Sequence, residues 1–184
     1  FGTINFNSTK DVTFWAACLV AFFSFFRKSN LLVPSLQDFD PNRHLSRQNI
    51  QFHPEGVILH LNKTKTIQFS ERSLEVPLPA IRNSPLSSCP AFFFKEGGQI
   101  VPLTHSSFLT RLKDSLKEIG IDPTQYSGHS FCRGGASFAF QCGIPGELIQ
   151  AQGDWKSDTY KRYLDPSFSY QQQVMKSFAK ALQQ

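Results

Sequence analysis

Hydrophobic and polar positions change their period several times along the chain, and each change marks an element. From Asp11 to Lys28 the sequence DVTFWAACLVAFFSFFRK places Trp15, Leu19, Phe22, Phe23 and Phe26 all around a helical wheel. A helix that is apolar on every side is buried. The segment therefore predicts a central helix, capped by Asp11 and closed by Arg27 and Lys28. Between Leu36 and Pro79 the period falls to two. QNIQFH, GVILHLN and SLEVPL alternate or cluster β-formers, with His53-Pro54-Glu55-Gly56 as a turn between the first two. They predict a small three-stranded antiparallel sheet, with Asn62-Lys63-Thr64-Lys65-Thr66 in the loop before its third strand.

Residues Ala80 to Pro102 read as a connection holding the packing run Phe92-Phe93-Phe94 and ending near Gly97-Gly98. The helical period returns from Thr104 to Ile119, where Phe108, Leu109, Leu112, Leu116 and Ile119 share a face and Gly120 stops the helix. Its polar face offers Arg111, Lys113 and Lys117 as a phosphate-facing patch. The stretch Ser127 to Tyr163 then brings a His at a helix entrance, a turn at Gly143-Ile144-Pro145, a second helix and a Gly-Asp-Trp corner. After the Asp165-Pro166 break, Ser169 to Leu182 predicts a last helix with Val174, Phe178, Ala181 and Leu182 on one stripe. No repeat and no long polar linker divides the chain. The expected architecture is a single mixed α+β domain, mostly helical.

Composition narrows the class. At 184 residues the chain can bury a sizeable core, and its 19 Phe supply much of it. Net charge +5 suits a nucleic-acid partner without requiring one. The four Cys (Cys18, Cys89, Cys132, Cys142) form no CxxC pair and have no His at metal spacing, the usage of a reduced, intracellular protein. The apolar run Phe14 to Phe26 is too short to cross a bilayer, and no signal-peptide pattern precedes it. A start at Phe1 rather than Met is expected of a fragment.

The motifs GHSF, PGELI, GDWKSD and YKRYL stand in an order and at a spacing that resembles the tyrosine recombinase (phage integrase) family. The likeness is nearest to its eukaryotic, retrotransposon-encoded branch of DIRS and Crypton type. That family runs His-x-x-Arg, then Gly-His/Trp, then a nucleophilic Tyr, with an earlier Arg at the end of a buried helix and a Lys on a β-hairpin. The resemblance implies a catalytic domain spanning 1–184, without the N-terminal DNA-binding arm domain. It also implies double-stranded DNA as partner, oligomerisation on DNA through the C-terminal helix, work in the nucleus, and no cofactor, metal or membrane. By resemblance the site residues are Arg27, Lys65, His129, Arg133, Trp155 and Tyr163, with Lys63 as the alternative to Lys65.

These residue types suit phosphoryl exchange. A Tyr nucleophile stores the phosphodiester bond as a covalent intermediate. Charge developing on the non-bridging oxygens calls for cations, best the planar fork of Arg. A His shares the nucleophile's proton and a Lys supplies one to the departing 5′ oxygen. Read without the resemblance, each residue has a plainer role: Arg27 as a helix-end cation, Lys65 as a solvated loop charge, His129 as a helix-entrance polar group, Trp155 as core. Tyr160 competes with Tyr163 as nucleophile and is expected to be a packing ring. Two departures from the family stand out. Asn30 replaces the acidic residue expected near Arg27, and Cys132 stands where the second clamp Arg belongs. A thiol is no permanent cation, so either Arg133 compensates from about 100° around the helix or the chemistry is impaired. The alternative readings are a catalytically inactive DNA-binding module derived from a mobile-element recombinase, and an interaction domain that uses no DNA.

Overall fold

The computed structural model describes residues 2–35, 37–40, 44–54, 56–61, 74–79, 92–163 and 175; the side chains of Arg47, Pro79, Thr159 and Tyr163 lie outside that description. The first helix, α1 (Thr9–Phe23), is capped by Ser8, whose hydroxyl accepts from the Asp11 backbone N–H at 3.3 Å. Asp11 was the expected cap, but it lies in the first turn and has another task. Its carboxylate receives two bonds from Arg111, Nε to Oδ1 and Nη2 to Oδ2, each 3.2 Å long. Arg111 also reaches the Thr3 carbonyl and lies 5.6 Å over the Phe14 ring. The expected phosphate-facing patch therefore loses Arg111, which clamps two helices together.

Helix α1 stops earlier than its apolar run does. Ser24 closes it, and Phe25 takes a left-handed φ of 57°, which turns the chain before the four-residue helix α2 (Lys28–Leu31). Arg27 is thus the N-cap of α2 rather than the last turn of α1. A left-handed Phe costs about 1–2 kcal/mol. Burial of its ring (7% exposed) in the second core offsets that cost.

The expected sheet is present as β1 (Ile50–His53), β2 (Gly56–Leu61) and β3 (Leu74–Pro79), antiparallel in that order. Leu59 pairs with Val76 and Leu61 with Leu74. Leu59, Leu61, Val76 and Leu78 face the first core, where they join Phe14, Ala17, Cys18 and Ala21 of α1. A second sheet departs from the reading of this region as a plain connection. Strands β4 (Phe93–Glu96) and β5 (Gln99–Pro102) form a hairpin whose two turn glycines, Gly97 and Gly98, have φ of 58° and 81°. Two consecutive positive φ values are what a two-residue hairpin turn of type I′ requires, and Gly-Gly supplies them.

Helix α3 (His105–Glu118) begins with a Thr104–Ser107 capping box and ends before Gly120, whose φ is 76°. It buries Phe108 against Phe14, 5.4 Å between ring centroids. Helix α4 (His129–Gln141) crosses α1, and α5 (Gly146–Gln152) follows after a left-handed Gly143. A 3-10 helix, Asp158–Tyr163, closes the described chain. Of the expected terminal helix only Met175 is described, helical and exposed; Val174, Phe178, Ala181 and Leu182 lie outside the described residues. Among the described residues no helix is long and apolar enough to cross a membrane.

The α1–α4 crossing is unusually close. A Cβ on Gly135 would stand 2.0 Å from the Phe22 carbonyl oxygen, whereas one on Gly134 would meet only the Phe22 ring, at 3.5 Å. Gly135→Ala must push two helix backbones apart and should destabilise the domain by about 3 kcal/mol. Gly134→Ala, in ordinary contact, should be neutral or stabilising by up to about 1 kcal/mol. Urea unfolding of the two variants reads the difference.

Asp11 gives a pH signature. Burial works to raise its carboxyl, but the bonds from Arg111 and from the Asn5 N–H hold it below its ordinary value of 3.8. A depressed carboxyl contributes stability above that ordinary value and loses it as pH falls through the lowered one. Asp11→Asn should therefore flatten the acid limb of a stability–pH curve below 3.8, and lower stability at neutral pH.

Candidate DNA phosphoryl-transfer site

The left-handed turn at Phe25 delivers residues 27 and 28 to the start of α4. Gly128, which precedes that helix, is buried under the Lys28 stem: a Cβ there would lie 3.1 Å from both Cγ and Cδ of Lys28. One turn further along α4, Cys132 is 1% exposed, and its Sγ–H donates to the His129 carbonyl at 3.1 Å. Burial pushes the Cys132 thiol up, opposed by the Arg27 guanidinium nearby and, more weakly, by Arg133. His129 opens the helix and is exposed, its backbone N–H donating to Ser127 Oγ at 3.2 Å. Arg133 is exposed beside the buried thiol.

The remaining candidates are placed by stacked rings. Phe25 lies parallel to Trp155 (centroids 6.0 Å apart, planes at 10°), and Trp155 lies parallel to Tyr160 (6.1 Å, 5°). Offset stacks of this kind add about 0.5–1.5 kcal/mol per pair beyond burial. The stack joins the turn holding Arg27, the corner holding Trp155 and the 3-10 helix that ends at Tyr163. Trp155 is half-buried, and its carbonyl accepts from the Gln150 side-chain amide at 2.9 Å. Tyr160 is 5% exposed, with its hydroxyl against Gly146, and serves as the packing ring expected of it. The Tyr163 side chain, and Lys63 and Lys65 with their loop, lie outside the described residues.

Sequence reasoning missed Gln152, at the end of α5. Its side-chain amide donates to the Phe23 carbonyl at 3.3 Å and to the Pro77 carbonyl at 3.2 Å. One amide nitrogen thereby fixes the end of α1, strand β3 and the α4–α5 unit relative to one another. No periodicity could reveal it, because its partners are backbone atoms far away in sequence. The ring stack ties the turn that precedes Arg27 to the Trp155 corner, and α1 packs against α4, the helix that His129 opens. Among the described residues no three His, Cys, Asp or Glu side chains converge as a metal ligand set.

No family model matches the chain, and no curated protein does. Among solved structures, the XerH site-specific recombinase, bound to palindromic difH substrate in a post-cleavage complex, superposes over 100% of this chain with a TM-score of 0.61. Sequence identity is 12%, and the match covers 49% of the recombinase, so this chain spans about half the length of that protein. The chain has the tyrosine recombinase catalytic-domain fold.

The stack makes a local prediction. A Cβ on Gly153 would stand 2.7 Å from the Trp155 ring. Gly153→Ala should displace the indole, cost about 1–3 kcal/mol and shift Trp155 emission in a Trp15→Phe background. Unchanged emission and unchanged melting would mean that the ring does not rest on Gly153.

Proposed function

We propose that this domain cleaves and rejoins duplex DNA through a 3′-phosphotyrosyl intermediate. The observation that carries the reading is the recombinase fold over the whole chain, supported by the packing of Lys28, the residue after Arg27, on Gly128 at the start of the helix that His129 opens. The similar recombinase is described bound to its DNA substrate after cleavage, which supports duplex DNA as this chain's partner. Arg27 would clamp the non-bridging oxygens of the scissile phosphate. Tyr163 Oη would attack phosphorus, forming the P–O bond as the P–O5′ bond breaks, with its phenolic proton passing to His129. A lysine of the β2–β3 loop, Lys65 or Lys63, would protonate the departing 5′ oxygen. Trp155 would donate its indole N–H to the phosphate, and Arg133, exposed beside Cys132, is the second guanidinium available to it. Attack by a 5′-hydroxyl from another strand reverses the step, so no bond energy is lost.

The finer assignments belong to the same proposal. The GHSF, GDWKSD and YKRYL motifs favour the DIRS- and Crypton-like branch, and with it a nuclear protein that acts as an oligomer joined through residues 169–182. A non-catalytic DNA-binding module is the second reading, favoured by one observation: the uncharged, buried Cys132. Incubation with a library of nicked duplexes carrying randomised flanks, followed by denaturing electrophoresis, separates the two. The expected outcome is a protein–DNA adduct that Tyr163→Phe abolishes and Tyr160→Phe leaves detectable. Salt-sensitive duplex binding without any adduct would select the second reading. An adduct that survives Tyr163→Phe would contradict the assignment of the nucleophile.

A further inference from the structure

Cys132 leaves the proposed site without the charge expected at that position, and the stem of a neighbouring cation, Lys28, packs one helical turn away, on Gly128. Gly128 and Cys132 are four residues apart at the start of α4, which puts them on the same helix face. The stem of Lys28 rests on Gly128, with Cβ, Cγ and Cδ all within 3.5 Å of where a Cβ would be. Lys28 is half-buried, as is Arg27, and among the described residues neither is paired with a carboxylate. Adjacent half-buried cations repel each other and lose hydration, an arrangement that an anion would relieve. The charge of Lys28 also bears on His105 at the start of α3, where it adds to burial in lowering that imidazole's pKa. His105 in turn holds α2 in place, Nε2 lying 3.0 Å from the Leu32 carbonyl while its backbone N–H donates to Val33 O.

We infer that Lys28 is a second phosphate-clamping cation of this domain, supplying from α2 the positive charge that Cys132 cannot supply from α4. The inference rests on the proposed phosphotyrosyl chemistry and adds a residue to it. A Cβ on Gly128 would meet the Lys28 stem at 3.1 Å and push it aside by a few tenths of an ångström. A lysine ammonium is a point charge without the planar fork of Arg, so it can neutralise one non-bridging oxygen while Arg27 grips the phosphate in the bidentate manner.

The test compares Lys28→Met, which keeps most of the stem's bulk over Gly128, with Lys28→Arg, which keeps the charge. On a nicked duplex recovered from the randomised library, Lys28→Met should slow adduct formation about 100- to 1,000-fold, as loss of one transition-state donor does. Its duplex affinity should change by less than about 10-fold, and Lys28→Arg should stay within about 10-fold of the parent rate, since one phosphate contact contributes only part of total binding. A Lys28→Met rate equal to the parent's overturns the inference. So does a loss of affinity as large as the loss of rate, which would mark an ordinary backbone contact. A sulfate titration followed by the backbone amide shifts of residues 127–133 decides the matter even if no adduct ever forms. Shifts that saturate in the parent and in Lys95→Met, a change at an exposed lysine of β4, but vanish in Lys28→Met support the anion site. Shifts absent from the parent, or unchanged in Lys28→Met, overturn it.

Discussion

The passage of α1 against α4 at Gly135 is the constraint on which the rest of this domain depends. With the Phe22 carbonyl 2.0 Å from where a Cβ would sit, the two helices meet backbone to backbone. That contact fixes where α1 ends relative to α4. The chain then has only Ser24 to Phe26 in which to reverse before Arg27. The left-handed Phe25 makes the reversal, and its ring is retained because it stacks on Trp155. A backbone contact, a strained dihedral and a ring stack together determine where Arg27 stands.

Two cores divide the labour. The larger one packs α1 and α3 against the sheet, and the bidentate Asp11–Arg111 pair ties those helices at the end remote from Arg27. The smaller one holds Phe25, Cys132, Ala136, Ala139, Ile149 and Tyr160. Small residues at 135, 136 and 139 are what allow that core to be thin. The Gln152 amide crosses between the two, bonding α5 to the end of α1 and to strand β3. Among the described residues Arg27 and Lys28 have no carboxylate partner, which fits a surface whose counter-charge comes from a polyanion.

Much of this architecture is legible in the residues because its signals are local. Period-two alternation gives β1 to β3, helical spacing with Gly120 gives α3, and the His129 entrance marks α4. The resemblance carried by GHSF, GDWKSD and YKRYL is borne out at the level of fold. The misreadings have physical causes. An apolar run longer than the helix hid the end of α1, because Phe25 and Phe26 are buried without being helical. The Gly97-Gly98 hairpin was readable from its turn chemistry but was masked by the Phe run before it. Arg111 looked like a phosphate ligand because its partner, Asp11, is a hundred residues away. Lys28 over Gly128 and Gln152 across to Pro77 belong to tertiary contact alone.

The central claim is that the crossing at Gly135 assembles a phosphate site from Arg27, the start of α4 and the tyrosine that ends the 3-10 helix. A crystal structure of the domain with a nicked duplex and orthovanadate, which adopts the five-coordinate geometry of a phosphoryl transition state, tests it most directly. The account predicts vanadium bonded to Tyr163 Oη and held by Arg27, with His129 within hydrogen-bonding reach. A duplex seated on another face, or a vanadate centre that leaves Arg27 and the start of α4 untouched, would contradict it.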